Sequence, residues 1–127
     1  MRAVGAELSS VLAAGDVVLL EGELGAGKTT LVRGVLEALG HRGPVRSPTF
    51  NLIQTFETNP PVMHADLYRV RSASGTGLED YLDTHLCFIE WPDRAFGLID
   101  PEDAWIIRIE FAGSARRVEI VPPLGMR

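Results

Sequence analysis

The eight residues of range 22–29 have the types and spacing of a loop that binds phosphate groups. They read Gly-Glu-Leu-Gly-Ala-Gly-Lys-Thr, and their glycines allow backbone N–H groups to point at phosphate oxygens. Lys28 would contact the β- and γ-phosphates, and the Thr29 hydroxyl would bind Mg²⁺. At average residue frequencies this pattern arises by chance about 0.005 times in a chain of this size. The sequence therefore predicts that the chain binds a nucleoside triphosphate.

The segments on either side of this loop must position it. In the predicted strand 17–21, residues 17–20 are apolar without alternation, which is typical of a strand buried on both faces of a parallel sheet. Residues 30–39 have a helical pattern, and Gly40 follows as a stop signal. A strand, a glycine loop and a helix in this order place the positive end of the helix against the bound phosphates.

Two further apolar strands each end in an acidic residue. Range 62–65 is followed by Asp66, and range 86–89 is followed by Glu90. A carboxylate at such a strand end can hold Mg²⁺ directly or through its water shell, and a second one can position the attacking water. The residues alone leave open which acid is nearer to the metal, although Glu90 follows the more convincing buried strand.

Two neighbouring segments carry weaker candidates. Range 46–49, Arg-Ser-Pro-Thr, lies where a nucleotide-sensing loop would fall, and the Thr49 hydroxyl could meet the γ-phosphate or the metal. From composition alone, an ordinary turn is the favoured interpretation of this range. His64 is expected to be a hydrogen-bonded structural residue rather than a metal ligand. No zinc site is predicted, because the spacing of the three histidines fits no ligand pattern.

Composition is typical of a globular protein with one domain. The 127 residues are 46% hydrophobic and 23% charged, which suits a single modest core over residues 1–127. With a net charge of −5 the chain lacks the electrostatic pattern of a nucleic-acid binder, and Arg116 and Arg117 are interpreted as solvated surface. Cys87, the single cysteine, is expected to be buried and inert, and it favours a reducing cytoplasm. No apolar run reaches the length of a membrane span, and no signal sequence is recognisable.

The patterns together predict a three-layer α/β domain with a mixed, mostly parallel sheet. The same periodicities predict four peripheral elements: an amphipathic helix over 4–14, an edge strand over 50–57, a helix starting at 91–95, and a C-terminal antiparallel hairpin formed by 105–111 and 117–121.

Four sequence blocks, taken together, resemble one family. The phosphate loop of 22–30 is followed by Ser-Pro-Thr-Phe at 47–50, His-Ala-Asp-Leu-Tyr-Arg at 64–69 and Ile-Glu-Trp-Pro at 89–92. In this order they resemble the TsaE (YjeE-type) family, small bacterial ATPases required for threonylcarbamoyladenosine in tRNA. The resemblance extends over 15–95 and implies a P-loop NTPase-like fold.

The resemblance also implies an activity, cofactors and partners. Members of the family are Mg²⁺-dependent ATPases that work with the TsaD and TsaB proteins, which place threonylcarbamoyl on the adenosine beside the tRNA anticodon. The family protein does not form that bond itself, and its ATP turnover resets the complex between cycles. No obvious arginine finger follows the phosphate loop in the sequence, which predicts weak ATP hydrolysis that partners stimulate. Contact with tRNA is expected only through the complex. In keeping with its composition the chain is expected to be cytoplasmic and away from membranes, and it is expected to be monomeric when alone.

The resemblance assigns a role to each matching position. Lys28 and Thr29 bind phosphate and Mg²⁺. Asp66 is the metal-side acid, and Glu90 is the second essential acid. Thr49 belongs to the switch loop and joins Lys28, Asp66 and Glu90 as a catalytic residue, while Thr29, Asp66 and Glu90 form the metal set. The nucleotide-binding set comprises Gly22, Glu23, Leu24, Gly25, Ala26, Gly27, Lys28, Thr29, Thr30 and Trp91.

Two segments depart from the family's pattern. The chain begins close to its first helix, whereas family members usually start with a strand and a Thr-containing segment that help to cover the adenine. The stretch 70–78 takes the place of an acidic helical segment and looks shortened. The first departure bears on how the base is held, and the second bears on a face that could bind partners.

Three other functions share the phosphate loop. A small kinase also needs an acceptor pocket and usually an arginine-bearing lid, for which 127 residues leave little room. A GTPase would need a guanine-reading Asn-Lys-x-Asp motif, which the sequence lacks, so ATP is expected to be preferred over GTP. A nucleotide-gated scaffold, in which hydrolysis hardly matters, uses the same residues. The kinase and the scaffold remain open as alternatives.

Overall fold

A six-stranded sheet lies at the centre of the computed structural model, which describes residues 1–23, 25–45, 52–95 and 97–127. In chain order the elements are α1 (Arg2–Leu8), β1 (Val17–Gly22), α2 (Lys28–Ala38), β2 (Ile53–Phe56), β3 (Val62–Asp66), β4 (Leu86–Glu90), β5 (Trp105–Ala112) and β6 (Ala115–Val121). The strands lie in the order β2-β3-β4-β1-β5-β6. This arrangement confirms the predicted α/β class.

The middle of the sheet is parallel and its two ends are antiparallel. β3 pairs with β4, β4 with β1, and β1 with β5 in parallel. β2 and β6 are added at the edges in antiparallel pairs. The predicted mixed sheet, edge strand and C-terminal hairpin are therefore confirmed. Because β1, β3 and β4 are parallel, their carboxyl ends meet at one edge of the sheet, which is where α/β folds bind ligands.

Each face of the sheet is covered by a separate apolar core. Alternate residues of β1 divide between the two cores: Val18 and Leu20 face α1 and α2, whereas Leu19 faces the opposite side. All three are at most 1% exposed, as expected for a strand in the interior of a parallel sheet. Of the helices described, neither has the length and apolarity needed to cross a membrane.

The layer opposite α1 and α2 is built from short 3₁₀ turns and loops. Within the described residues it contains no α-helix, and the helix predicted to start at 91–95 is a single 3₁₀ turn, Pro92–Ala95. Gly97 and Pro101 follow closely, and both residue types oppose the continuation of a helix. Buried side chains of this layer, Leu67, Ala73, Leu78, Ala95 and Ile99, complete the core on this face.

The first helix is shorter than its apolar pattern predicts. It ends at Leu8, and the predicted helical range 4–14 continues as turns. The Ser9 and Ser10 hydroxyls donate to the carbonyl oxygens of Ala6 and Glu7, at 2.6 and 2.8 Å. Such local bonds compete with the helical ladder. As a result Val11, predicted to lie on the buried side, is 56% exposed.

The helices α1 and α2 cross in backbone contact at two glycines. A Cβ added at Gly34 would lie 2.3 Å from the carbonyl oxygen of Arg2, and one added at Gly5 would lie 2.3 Å from the carbonyl oxygen of Leu31. At both glycines the atoms nearest to the added Cβ belong to the backbone of the other helix. Such a contact can be relieved only if a whole helix moves. This close packing fixes α1 on the helix that follows the phosphate loop.

We expect Gly34→Ala to lower the free energy of unfolding by about 1–3 kcal/mol, since it overpacks this crossing. The better helix propensity of alanine, about 1 kcal/mol, offsets only part of that loss. Urea unfolding followed by circular dichroism measures the change. Gly125→Ala is the matched control, because a Cβ there meets no atom within 4 Å. Equal stabilities of the two variants would contradict the close crossing.

Cys87 lies in β4, whose five residues are all buried, and it has no exposed surface. Its Sγ lies 3.5 Å from the carbonyl oxygens of Tyr81 and His85. Burial raises the pKa of the Cys87 thiol to about 12. The predicted burial of Cys87 is therefore confirmed. A thiol with a raised pKa carries little thiolate at neutral pH, which agrees with the expectation that Cys87 is inert.

Candidate nucleotide-binding site

The loop between β1 and α2 has backbone conformations that favour glycine. Gly25 and Gly27 have φ angles of 80° and 115°, in the left-handed region. At Gly22 the reason is proximity, because a Cβ there would lie 2.6 Å from the carbonyl oxygen of Ile109 on β5. Gly27 immediately precedes α2, so the free N–H groups of the first helical turn face the loop.

Lys28 is the first residue of α2 and is almost completely buried, with 5% of its surface exposed. Its Nζ donates to the carbonyl oxygen of Gly22 at 2.8 Å and lies 3.8 Å from Glu90 Oε1. The ammonium also lies 4.3 Å from the centroid of the Trp91 ring. Burial lowers the pKa of Lys28, while the carboxylates of Glu90 and Asp66 act in the opposite direction. An anionic ligand at this position would favour the charged form of the lysine.

Asp66 and Glu90 stand side by side at the ends of β3 and β4, where they are register partners. Both line a cavity of about 280 Å³ whose other walls come from the phosphate loop and α2: Gly25, Gly27, Lys28, Thr29 and Thr30. Asp66 Oδ1 accepts a hydrogen bond from the Tyr68 backbone N–H at 3.0 Å. Burial raises the pKa of Asp66, and the Tyr68 N–H acts in the opposite direction.

His64 contacts the carboxylate of Glu90 within the protein interior. His64 is completely buried on β3, and its Nε2 lies 2.6 Å from Glu90 Oε2. Among the described residues His64 Nδ1 has no hydrogen-bond partner, so we assign the proton to Nε2, which donates to the carboxylate. Glu90 therefore has one oxygen fixed by His64 and the other facing Lys28. The predicted structural role of His64 is confirmed, with Glu90 as the partner.

Trp91 follows β4 directly and has a φ angle of 59°, which is rare for a bulky residue. Its ring packs against Tyr68, with ring centroids 4.7 Å apart, and against the Lys28 ammonium. Trp91 and Lys28 also border a second cavity of about 300 Å³, together with Leu20, Glu21, Gly22, Pro92 and Asp93. Strained backbone of this kind concentrates at functional sites because the surrounding structure must hold it in place.

The oxygen donors of this cavity suit Mg²⁺. Thr29 offers a hydroxyl, and Asp66 and Glu90 offer carboxylates. Across the described ranges, no three His, Cys, Asp or Glu side chains gather into a cluster that could hold a metal ion. Mg²⁺ characteristically binds one or two carboxylates and completes its shell with phosphates and water. The residues present therefore fit a magnesium ion that arrives with a triphosphate rather than a metal held by protein alone.

The C-terminal hairpin also reaches the phosphate loop. Arg116 on β6 donates from Nε to the carbonyl oxygen of Ala26 at 3.2 Å. Its guanidinium carbon lies 4.2 Å from the centroid of the Phe111 ring on β5. Arg116 is exposed, in agreement with its interpretation as solvated surface, and its side chain also bridges the hairpin and the loop. Sequence patterns carry little signal for a contact between residues so far apart in the chain.

The structure brings most of the predicted site residues to one edge of the sheet. Asp66 and Glu90 line one cavity with Lys28, Gly25, Gly27, Thr29 and Thr30, and Trp91 lines the neighbouring cavity with Lys28 and Gly22. Glu23 and Ala26 belong to the same loop. Leu24 and Thr49 lie outside the described residues. The roles of all these side chains toward a nucleotide stay predictions.

A sequence model of the family described as "Threonylcarbamoyl adenosine biosynthesis protein TsaE" matches residues 1–118. Among curated proteins, the chain is 38% identical to the tRNA threonylcarbamoyladenosine biosynthesis protein TsaE of Haemophilus influenzae, over 83% of this chain and 69% of that protein. It is 49% identical to the protein of the same name from Streptomyces coelicolor, over 68% of this chain and 57% of that protein. The chain thus spans under two thirds of the Streptomyces protein.

A solved structure is similar in fold as well as in sequence. The crystal structure of Bacillus subtilis YdiB matches with a TM-score of 0.75 and 32% identity, over 94% of this chain and 74% of that chain. The predicted P-loop NTPase-like fold is therefore confirmed.

Proposed function

The chain belongs to the TsaE family, and on this basis we propose that it binds and hydrolyses ATP with Mg²⁺ in support of tRNA threonylcarbamoyladenosine biosynthesis. One observation carries the proposal. A buried lysine at the start of a helix, after a glycine loop, faces two carboxylates at the ends of adjacent parallel strands. That combination provides a cation for phosphates, oxygen ligands for a metal and an acid to orient water.

The environments of the two acids suggest a division of labour. Glu90 Oε2 is engaged by His64 at 2.6 Å, and Glu90 is 4% exposed. Asp66 is partly exposed, and its Oδ1 accepts a hydrogen bond from the backbone N–H of Tyr68. We assign Asp66 to the metal side with the Thr29 hydroxyl, and Glu90 to the orientation of the attacking water. Bound Mg²⁺ would neutralise the charge that develops on the phosphate oxygens.

Partners are proposed from family membership. We propose that the chain acts with TsaD and TsaB, contacts tRNA only through their complex and works in the cytoplasm. Among the described residues no arginine lines the cavity of Asp66 and Glu90. An arginine supplied to a transition state from a partner can raise phosphoryl-transfer rates by about 10³–10⁵. A site without one would turn over slowly until a partner completes it.

We expect weak ATP hydrolysis by the chain alone and a marked rise when TsaD and TsaB are added. Phosphate release from ATP·Mg²⁺ with and without both partners measures the effect, with GTP·Mg²⁺ run in parallel and expected to be the poorer substrate. The Asp66→Asn variant controls for contaminating ATPases. High basal turnover that ignores the partners would contradict the proposal. Nucleotide-dependent complex formation without turnover would instead support the scaffold, and transfer of phosphate to a small acceptor would support the kinase.

A further inference from the structure

His64, Asp66 and Glu90 share one face of the sheet, because side chains alternate between the two faces along each strand. β3 and β4 are parallel neighbours, and their terminal acids are register partners. His64 is the register partner of Phe88, which belongs to the core that faces α1 and α2. The three polar side chains therefore lie on the face where Lys28 begins α2, with the histidine deeper in the sheet than the two acids.

The contact between His64 and Glu90 distinguishes the two carboxylate oxygens. His64 Nε2 lies 2.6 Å from Oε2, whereas Oε1 lies 3.8 Å from Nζ of Lys28. His64 has no exposed surface and Glu90 is 4% exposed, so water competes little for the hydrogen bond. A glutamate side chain has several staggered rotamers. The bond to His64 selects one in which Oε1 is directed toward Lys28.

The separation between Lys28 and Glu90 is a second consequence of this geometry. Both side chains are almost completely buried, where opposite charges attract strongly. Nevertheless Nζ and Oε1 are 3.8 Å apart, beyond the distance of a hydrogen bond. The lysine donates instead to the carbonyl oxygen of Gly22 at 2.8 Å. His64 holds the carboxylate through its other oxygen, and thereby keeps it from closing on the ammonium that receives the phosphates.

The bond between His64 and Glu90 contributes more to the arrangement of the site than to the stability of the fold. Replacing both partners of a buried hydrogen bond with apolar groups of the same shape can be nearly neutral. Within the described part of the chain His64 Nδ1 has no hydrogen-bond partner, which adds a cost of burial. What the histidine supplies is a fixed orientation of one carboxylate.

We propose that His64 is a positioning residue for ATP hydrolysis: it donates from Nε2 to Oε2 of Glu90, directs Oε1 toward the attacking water and holds the carboxylate away from Lys28. The inference rests on the proposed function, because Glu90 acts on water only if the chain hydrolyses ATP. It adds to that function a residue that touches neither the nucleotide nor the metal and acts through Glu90 alone.

A double-mutant cycle separates this role from general support of the core. His64→Met removes both ring nitrogens and fills the space with a flexible apolar side chain. Phosphate release from ATP·Mg²⁺ with TsaD and TsaB should then fall by about 10- to 100-fold, the usual scale for a partner that orients an active-site ligand. In the Glu90→Gln background the same substitution should cause no further loss. His64→Gln should restore most of the turnover, since its amide N–H can donate from a similar position.

The placement of the carboxylate can also be measured without nucleotide or partners. Labelling with [¹³C]lysine reports on Lys28 alone, because the sequence contains no other lysine. In His64→Met the carboxylate is no longer held, so it should approach Nζ and shift the Lys28 Cε signal. In the Glu90→Gln background His64→Met should leave the signal where Glu90→Gln alone puts it. His64→Gln should keep the signal of the unaltered chain.

Val62→Ala is the matched control for a loosened core. Val62 lies on the same face of β3 as His64, has no exposed surface and is the register partner of Leu86 rather than of an acid. Its truncation should lower the melting temperature and leave turnover and the Lys28 signal unchanged. Circular dichroism melts verify that each variant is folded. His64→Leu, a second variant without a donor, replaces His64→Met in every comparison if the latter does not fold.

Four results would overturn the positioning role. They are unchanged turnover in folded His64→Met, an equal loss from that substitution with and without Glu90→Gln, turnover in His64→Gln as low as in His64→Met, and a Lys28 signal that His64→Met does not shift. Failure of the proposed function looks different. Phosphate release would then be absent from every variant and from the unaltered chain, while the Lys28 signal would still respond to His64→Met.

Discussion

Lys28→Ala is expected to weaken ATP binding by at least about 100-fold, because the variant loses a charge-assisted contact to two phosphates. Each tenfold loss of affinity corresponds to about 1.4 kcal/mol. Lys28 is buried at the start of α2, and its Nζ lies beside the loop, where it donates to the carbonyl oxygen of Gly22 at 2.8 Å. The contact exists in the ground state as well as in the transition state, so the loss should appear in affinity and not only in rate. Calorimetry with ATP·Mg²⁺ measures it.

Lys28 is the only lysine in the sequence, which gives this experiment a direct reporter. In protein labelled with [¹³C]lysine, a single Cε signal should shift when ATP·Mg²⁺ is added. Arg117→Ala serves as the control, because it removes one positive charge from a side chain that is 74% exposed. A Lys28 signal that does not respond, together with unchanged affinity in Lys28→Ala, would show that the loop does not hold the phosphates.

The phosphate loop and its flanking elements could be predicted because their signals are local. The apolar run of β1, the glycines at 25 and 27 and the helical pattern after Lys28 lie within about twenty consecutive residues. The positions of Asp66 and Glu90 follow from the same reasoning, since each terminates an apolar strand. The structure adds that they are direct register partners.

The contacts that could not be predicted depend on pairing between distant segments. His64 reaches Glu90 only because β3 and β4 are parallel neighbours with one particular register, and the two residues are 26 positions apart. A register slip of one residue would turn His64 to the other face of the sheet. The contact of Arg116 with Ala26 joins residues 90 positions apart, through a hairpin whose placement no local pattern reveals.

Local chemistry can also mislead. The apolar spacing of Leu8, Val11 and Leu12 predicts a helix that continues past residue 8, but the hydroxyls of Ser9 and Ser10 bond to the last helical turn. Leu12 is nevertheless buried in the core that α1 and α2 share. A periodic pattern therefore identified a buried residue correctly while it misjudged the length of the element.

Glu90→Gln is expected to leave ATP affinity within about threefold and to lower partner-stimulated turnover by about 10²–10³-fold, the usual scale for loss of a group that acts on the attacking water. Glutamine keeps the volume of the side chain, and its amide oxygen can still accept from His64 Nε2 at the position of Oε2. Only the charge beside the water and Lys28 is lost. Phosphate release in the presence of TsaD and TsaB measures turnover, and calorimetry measures affinity.

Comparison with Asp66→Asn separates the two acids. If Asp66 is on the metal side, Asp66→Asn should weaken ATP binding in the presence of Mg²⁺ and have little effect on it in EDTA. Glu90→Gln should bind ATP about as tightly as the unaltered chain does, both with Mg²⁺ and in EDTA. Glu79→Gln, at an exposed position on the surface, is the control for loss of one negative charge. An affinity loss in Glu90→Gln as large as that in Lys28→Ala would reject the division of labour. Glu90 would then be a primary ligand of the metal or a structural support for Lys28, and Asp66 would become the candidate for orienting water.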